Sequence, residues 1–233
     1  MIDVSLRRRA LFTAGGAVAG SIAIGAAPAA ASLPPEPSPA TPRAALKALL
    51  DGNRRFVTGR SRHPHQTVAR LHEVAAGQHP FAVLLGCADS RVSPELLFDQ
   101  GIGDLFDDRV AGNIVDDLLL GSMEYAVEEF EPPLLIVLGH ERCGAIAATL
   151  STIANGTTAP GHIQTIVNAL TPIVEPFVND PDAVEKAVRA NVLAQVAALK
   201  AGSDIIRERV EHGKLAVVGA RYDLDTGVVT PLS

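Results

Sequence analysis

Four side chains of this sequence have the residue types of a metal centre. Cys87 is followed two residues later by Asp89, and His140 is followed three residues later by Cys143. Two thiolates and one imidazole suit Zn²⁺, which favours tetrahedral coordination by nitrogen and sulfur. Three protein ligands leave a fourth position for water or substrate, as in a catalytic zinc site. Asp89 either occupies that fourth position or stands beside it.

The two cysteines also allow other interpretations. They are the only cysteines of the chain, and in an oxidising compartment they can form one disulfide. They can equally serve as a redox-active thiol pair, and a buried free cysteine behaves as a small hydrophobic residue. The residue types alone do not distinguish a zinc site from these alternatives. The predicted strands that position Cys87 and Cys143 provide further evidence.

Apolar runs that alternate with helical patterns predict an α/β fold. Residues 81–85 and 134–138 are continuous apolar runs, as expected for strands that are buried on both faces. Strands that alternate with helices imply a parallel sheet with covered faces. We therefore predict a central, mostly parallel β-sheet of about four to five strands flanked by helices. The other predicted strands are 104–110, 215–218 and a terminal hairpin within 222–232, and the predicted helices are 43–57, 67–77, one that starts at Ser93-Pro94, 117–130, one that starts within 144–150, 163–178 and 183–212.

The predicted strands place the four candidate side chains at one edge of the sheet. In open α/β sheets, ligands bind outside the carboxyl ends of the parallel strands. Cys87 and Asp89 follow the predicted strand 81–85, and His140 and Cys143 follow the predicted strand 134–138. We therefore expect these side chains to meet, which favours the zinc site over two unrelated buried cysteines.

Composition and charge exclude several classes of protein. Of the 233 residues, 47% are hydrophobic and 20% are charged, which excludes disorder for most of the length. The 20 Lys and Arg residues against 26 Asp and Glu residues give a formal net charge of −6. The excess positive charge that is typical of nucleic-acid-binding proteins is therefore missing. Residues 44–233 are long enough to bury a substantial core, and we predict a single zinc-binding catalytic domain there.

The first 43 residues have the pattern of an export signal followed by a tether. Arg8-Arg9 precedes an uncharged stretch rich in Ala and Gly, and small residues within 27–31 offer cleavage sites. The pair resembles a twin-arginine signal, so we predict a signal peptide over 1–31 and an exported protein, periplasmic or secreted. The weakly apolar, glycine-containing stretch argues against a permanent membrane anchor. Residues 32–43 are rich in proline and are predicted to be an extended linker.

Two segments of the chain resemble the β-class carbonic anhydrases. They are Cys87-Ala88-Asp89-Ser90-Arg91-Val92 and Gly139-His140-Glu141-Arg142-Cys143-Gly144-Ala145. Residues 101–106, 111–113, 121–126 and 219–223 are also similar to the family pattern, so that the resemblance covers nearly the whole chain from 46 to 232. Two separated motifs at compatible spacing make the resemblance specific.

The resemblance implies a zinc lyase that interconverts CO₂ and bicarbonate. It assigns one Zn²⁺ per chain to Cys87, His140 and Cys143, with Asp89 and Arg91 as a dyad beside the metal. In the family, the aspartate either ligates zinc in a closed, inactive form or pairs with the arginine and frees the site for water. Family members are homodimers or higher homo-oligomers whose pocket draws on both subunits. The pocket residues that the resemblance implies are Gln78, which can serve the neighbouring subunit's zinc, and Phe106, Ala111 and Tyr125.

Two alternative functions use the same scaffold. Hydrolysis of carbonyl sulfide or carbon disulfide requires the same zinc site and differs only in the shape of the pocket. A non-catalytic zinc- or bicarbonate-binding protein would keep Asp89 on the metal at every pH. Turnover with each substrate distinguishes the first alternative, and exchange of water at the metal distinguishes the second.

Asp107-Asp108 departs from the family pattern, in which this strand usually carries two apolar residues before the arginine at 109. Because side chains alternate along a strand, we expect one of the two carboxylates to face inward. An unpaired buried carboxylate is costly, so we expect Arg109 or another cation to compensate for it.

Overall fold

The computed structural model describes residues 38–232. Five strands within this range form a single sheet. The strands are β1 (Ala82–Gly86), β2 (Leu105–Arg109), β3 (Leu134–His140), β4 (Ala216–Tyr222) and β5 (Val229–Leu232). Their spatial order is β2-β1-β3-β4-β5, and only β5 is antiparallel to its neighbour. The predicted mostly parallel sheet of four to five strands, with a terminal hairpin, is confirmed.

Helices cover both faces of this sheet. The helices are α1 (Pro42–Val57), α2 (Val68–Val74), α3 (Pro94–Leu97), α4 (Asp117–Phe130), α5 (Gly144–Asn155), α6 (Ile163–Val174), α7 (Ala183–Gly202) and α8 (Asp204–Glu211). Every residue of β1 and β3 is buried, which explains why residues 82–86 and 134–139 are apolar throughout rather than alternating. Leu84 packs with α1 and α3 on one face, and its neighbour Leu85 packs with α4, α7 and α8 on the other.

A third apolar cluster lies at the carboxyl edge of the sheet. It joins Ile146 of α5, Leu170 of α6 and Val188 of α7, and it includes Cys87 and Cys143. These three apolar side chains are at most 2% exposed. The two cysteines therefore lie in a packed layer, where the positions of side chains are closely determined.

Several boundaries differ from the predicted ones, including that of β4, which continues to Tyr222 instead of ending at 218. The predicted helix 183–212 is divided at Ser203, whose extended backbone starts α8 and whose hydroxyl accepts a hydrogen bond from the Ile206 N–H. The predicted helix 163–178 ends as a short 3₁₀ turn over Glu175–Phe177, where Pro176 lacks the N–H that would continue the α-helix. Strand β3 continues to His140, which was expected in the following loop.

The predicted signal peptide, 1–31, and the first half of the predicted linker, 32–43, lie outside the described residues. Helix α1 begins at Pro42, and the Thr41 hydroxyl caps it by accepting a hydrogen bond from the Ala44 N–H. The end of the predicted linker therefore overlaps the first helix by two residues. Within residues 38–232, no helix combines the length and the apolar character needed to cross a bilayer.

Candidate metal centre

Three of the four candidate ligands converge at the carboxyl edge of the sheet. Cys87 directly follows β1, His140 is the last residue of β3, and Cys143 caps the N-terminus of α5. Their ligand atoms all lie within 4.8 Å of one another. Cys87 is 4% exposed, Cys143 1% and His140 0%. The cluster therefore has the donor set and the closeness that a tetrahedral zinc site requires.

His140 presents an unpartnered ring nitrogen to this cluster. Its Nδ1 lies 2.9 Å from the carbonyl oxygen of Glu141, so this nitrogen carries the proton and Nε2 holds the free lone pair. Nε2 is buried and has no hydrogen-bond partner among the described residues. A buried acceptor without a partner is costly, and a metal ion at the cluster would satisfy it.

A glycine before His140 lets the strand approach α7 closely. A Cβ at Gly139 would clash with Val192 and would lie 3.3 Å from Val188 Cγ1. Both valines belong to α7, which packs against β3 and β4. The close packing of α7 against Gly139 thus fixes the position of the neighbouring residue His140 at the end of β3.

The two cysteine side chains are hydrogen-bonded to each other. Both cysteines are free in the structure, so the disulfide interpretation is not supported. The hydrogen bond from Cys143 is the main reason that the pKa of Cys87 falls well below its ordinary value, and the same bond raises the pKa of Cys143. The Gly112 N–H also donates to Cys87 Sγ, at 3.4 Å. The cluster therefore favours a thiolate at Cys87, which is the form that binds metal.

Asp89 and Arg91 form a bidentate ion pair beside the cluster. Arg91 Nε lies 2.9 Å from Asp89 Oδ1, and Arg91 Nη2 lies 2.7 Å from Asp89 Oδ2. The backbone N–H of Arg91 donates to Oδ1 as well, at 2.9 Å. The hydrogen bonds from the Arg91 side chain are the largest cause of the lowered pKa of Asp89, which is therefore ionised at neutral pH.

The carboxylate of Asp89 stays close to the metal cluster without joining it. Its Oδ2 lies 3.8 Å from His140 Nε2, while both of its oxygens are bound by Arg91. The structure thus brings together Cys87, His140 and Cys143 as a ligand set and places Asp89 beside them.

Comparison with known proteins agrees with this geometry. The sequence model of the family described as Carbonic anhydrase matches residues 82–229. Carbonic anhydrase 2 of Mycobacterium tuberculosis is 47% identical over 187 residues, which cover 80% of this chain and 90% of that protein. A carbonic anhydrase of Mycolicibacterium smegmatis is 43% identical over 189 residues, with 81% and 92% covered.

Solved structures of the β class show the same fold. The β-carbonic anhydrase of Coccomyxa, solved with acetazolamide, has a TM-score of 0.64 and 31% identity, and the match covers 80% of this chain and 86% of that one. The β-carbonic anhydrase CcaA has a TM-score of 0.65 and 28% identity, with 81% and 87% covered. The chain belongs to the β-carbonic anhydrases. The predicted family, fold and lyase activity are thereby confirmed.

Two of the four pocket residues implied by the β-carbonic anhydrase resemblance, Phe106 and Tyr125, lie in the same aromatic cluster. Phe106 and Tyr125 have ring centroids 6.4 Å apart, and Tyr125 remains 53% exposed. Ala111 is half-buried and directly precedes Gly112, whereas Gln78 is exposed. Their roles in a substrate pocket stay predictions.

Arg109 supports the metal centre in a way that the sequence analysis did not anticipate. Its guanidinium donates to the carbonyl oxygen of Cys87 at 2.7 and 3.0 Å, and to that of Asp89 at 2.8 Å. These bonds hold the turn that carries both residues. The Arg109 donors therefore face the loop after β1 rather than a carboxylate of β2. The expected compensation is limited to the charge of Arg109, which lowers the pKa of Asp107.

One of the two aspartates of β2 was expected to face inward, and Asp108 is the more buried of them at 8% exposed, while Asp107 is half-buried. Asp107 Oδ1 and Asp108 Oδ2 are buried and have no hydrogen-bond partner among the described residues. Burial is the main cause that raises the pKa of Asp107 to about 7, with a further contribution from the charge of Glu95, while the Arg109 charge lowers it. Burial also raises the pKa of Asp108, and a hydrogen bond from Ser122 opposes this.

Proposed function

We propose that Cys87, His140 and Cys143 hold one Zn²⁺ per chain and that the enzyme uses it for the reversible hydration of CO₂ to bicarbonate and a proton. The convergence of two sulfurs and the unpartnered His140 Nε2 within 4.8 Å supports this proposal. When bound, Zn²⁺ acts as a Lewis acid that makes hydroxide available from water near neutral pH.

The protein contributes the orientation of the ligands and of the nucleophile. The bond between His140 Nδ1 and the Glu141 carbonyl fixes the tautomer that leaves Nε2 free. Cys143 lies at the N-terminus of α5, where the helix dipole stabilises negative charge on sulfur. Asp89, held by Arg91, is placed to accept a hydrogen bond from the attacking water and so to orient its lone pair toward CO₂.

The bidentate Arg91–Asp89 pair favours an open site over a permanently closed one. Asp89 must break two side-chain hydrogen bonds before it can ligate a metal at the cluster. Charge-assisted bidentate pairs are among the stronger hydrogen bonds in proteins. The arrangement therefore supports a catalytic enzyme rather than a non-catalytic binding protein.

The proposed assembly is a homodimer or a higher homo-oligomer. Strand β2 lies at the edge of the sheet, where its outer backbone groups are available for pairing. Large apolar side chains are exposed on α2 and α4, with Val68 at 69%, Leu71 at 50% and Leu118 at 86%. Gln78 is exposed as well, which is consistent with a role toward a neighbouring subunit.

The proposed location is outside the cytoplasm, reached through a twin-arginine signal in residues 1–31. The support is the Arg8-Arg9 pair before an uncharged, small-residue stretch. Export of the full chain is measured by fractionating cells that express it. Accumulation of Arg8→Lys/Arg9→Lys protein in the cytoplasm is expected, and unchanged export of that variant would contradict the twin-arginine route.

The activity is tested by stopped-flow CO₂ hydration combined with metal analysis. We expect one zinc per chain in the wild-type protein, loss of zinc and activity in Cys143→Ser, and loss of activity with zinc retained in Asp89→Ala. Asp117→Ala, an exposed residue of α4, is the matched control and should behave as the wild type. A zinc-loaded wild type without CO₂ hydration would contradict the proposal, and faster turnover of carbonyl sulfide or carbon disulfide would assign the site to those substrates.

A further inference from the structure

Two amide side chains lie on the buried face of helix α7. Asn191 and Gln195 are four residues apart, so they lie on the same face of the helix. Their exposed fractions are 1% and 4%. Because burying an amide is costly unless it is hydrogen-bonded, the partners of these two residues indicate what they do.

Both amides bind the same short segment, residues 112–115, about 80 positions earlier in the chain. Asn191 Nδ2 donates to the carbonyl oxygen of Gly112 at 2.8 Å, and the Val115 N–H donates to Gln195 Oε1 at 2.9 Å. Gln195 Nε2 also donates to Asn191 Oδ1 at 2.9 Å, which fixes the orientation of both amides. One helix therefore holds this segment at both of its ends.

The same segment supplies a hydrogen bond to a proposed zinc ligand. The Gly112 N–H donates to Cys87 Sγ at 3.4 Å. Gly112 has a φ of 81°, and a Cβ at this position would meet Leu170 Cδ1 at 3.1 Å and Ala145 Cβ at 3.3 Å. The position thus requires glycine, and its backbone approaches the sulfur closely as a result.

A hydrogen bond to a ligating thiolate acts on the metal in two ways. It restricts the orientation of the sulfur, and it withdraws part of the negative charge that the sulfur donates to the metal. A donor that is part of the backbone can be aimed only by the groups that hold the backbone. For Gly112, the amide of Asn191 binds the carbonyl oxygen of the very same residue.

We propose that Asn191 and Gln195 are positioning residues of the metal centre, which hold Gly112 so that its N–H donates to the Cys87 thiolate. They act through the backbone of Gly112 and do not ligate the metal. Asn191 holds the donor residue directly, whereas Gln195 orients Asn191 and anchors the other end of the segment. This inference rests on the proposed zinc function.

The test compares the zinc affinity of Asn191→Leu and Gln195→Met with that of a matched control. Asn53→Leu is that control, because Asn53 of α1 is 4% exposed, as Gln195 is, and its amide makes three hydrogen bonds with backbone groups of other segments. Zinc dissociation constants come from competition with a chromophoric chelator. The absorption of the Co²⁺-substituted proteins reports the sulfur-to-metal charge transfer, and urea unfolding reports the stability of each variant.

We expect Asn191→Leu to bind zinc about 10- to 100-fold more weakly than the wild type, the usual effect of losing a group that supports a metal ligand. Its Co²⁺ charge-transfer band should shift. Gln195→Met retains the Asn191 side chain that binds Gly112. It should therefore weaken zinc binding and shift the Co²⁺ band in the same direction as Asn191→Leu, but by a smaller amount. Asn53→Leu should lose stability while both metal readouts stay at the wild-type values.

Wild-type zinc affinity and an unshifted Co²⁺ band in Asn191→Leu and Gln195→Met would overturn the inference and leave the two amides a purely structural role. If Asn191→Leu does not fold, the zinc affinity and Co²⁺ band of Gln195→Met decide the question. A wild-type protein that binds neither ion would instead refute the proposed zinc function, and the inference with it.

Discussion

The unusual pair of acidic residues in β2 predicts a specific dependence of stability on pH. Burial raises the pKa of Asp107 from 3.8 to about 7 in the folded protein. The folded state therefore holds this proton more tightly than the unfolded state, and the carboxyl group stabilises the fold only while it is protonated. Its contribution is complete below about pH 4 and is lost as the pH rises to 7. At roughly 1.4 kcal/mol per pKa unit, the whole loss is about 4 kcal/mol.

Replacing Asp107 with valine should remove this dependence. Between pH 5 and pH 8 the wild-type free energy of unfolding should fall by about 3 kcal/mol because of Asp107, and the Asp107→Val variant should lack that fall. At pH 8 the variant should be the more stable protein. Urea titrations at both pH values, at one fixed protein concentration, measure the difference.

Two further variants make this prediction specific. Asp107→Asn has nearly the shape of the protonated acid and should also flatten the pH dependence. Asp117→Asn removes an exposed carboxylate and should leave the wild-type dependence unchanged. Equal losses of stability between pH 5 and pH 8 in the wild type and in Asp107→Val would refute the reasoning, because the buried carboxyl group would then not control the titration.

The remaining predictions concern the dyad, the end of β3 and a helix cap. Arg91→Gln should raise the pKa of Asp89 toward its ordinary value and free the Asp89 carboxylate to bind zinc. CO₂ hydration should therefore fall while the zinc content stays constant, and unchanged turnover would contradict this. Gly139→Ala should cost about 1–3 kcal/mol and reduce zinc content, because its Cβ clashes with Val192; wild-type stability and zinc content would count against the packing argument. Ser203→Ala should lower the free energy of unfolding by about 1 kcal/mol without changing activity, as urea titration and stopped-flow assays can show.

Much of the fold was predictable because its signals are local. The buried strands β1 and β3 consist almost entirely of an unbroken apolar run, which is visible in the sequence without knowledge of the tertiary structure. The helix ends were less predictable, because a serine or a proline in an apolar pattern ends a helix in one context and is tolerated in another. Pro172 lies inside α6, whereas Pro176 begins the 3₁₀ turn.

The candidate ligands were predictable for a different reason. Cys87 and His140 come at the carboxyl ends of two apolar runs, and adjacent parallel strands bring such ends together. The supporting residues gave weaker signals. Asn191 and Gln195 stand out as two amides four residues apart in an apolar helix, but only their partners show that they hold Gly112.

The sequence by itself determined the type of fold, the family and the identity of the candidate metal-binding side chains, because periodicity and short motifs are properties of neighbouring residues. The tertiary structure decided what those residues touch. It directed Arg109 to the turn after β1, paired Asp89 with Arg91, and left Asp107 Oδ1 buried without a hydrogen-bond partner among the residues described. These outcomes depend on the distance and direction between segments far apart in the chain, which are set by how helices pack on the sheet.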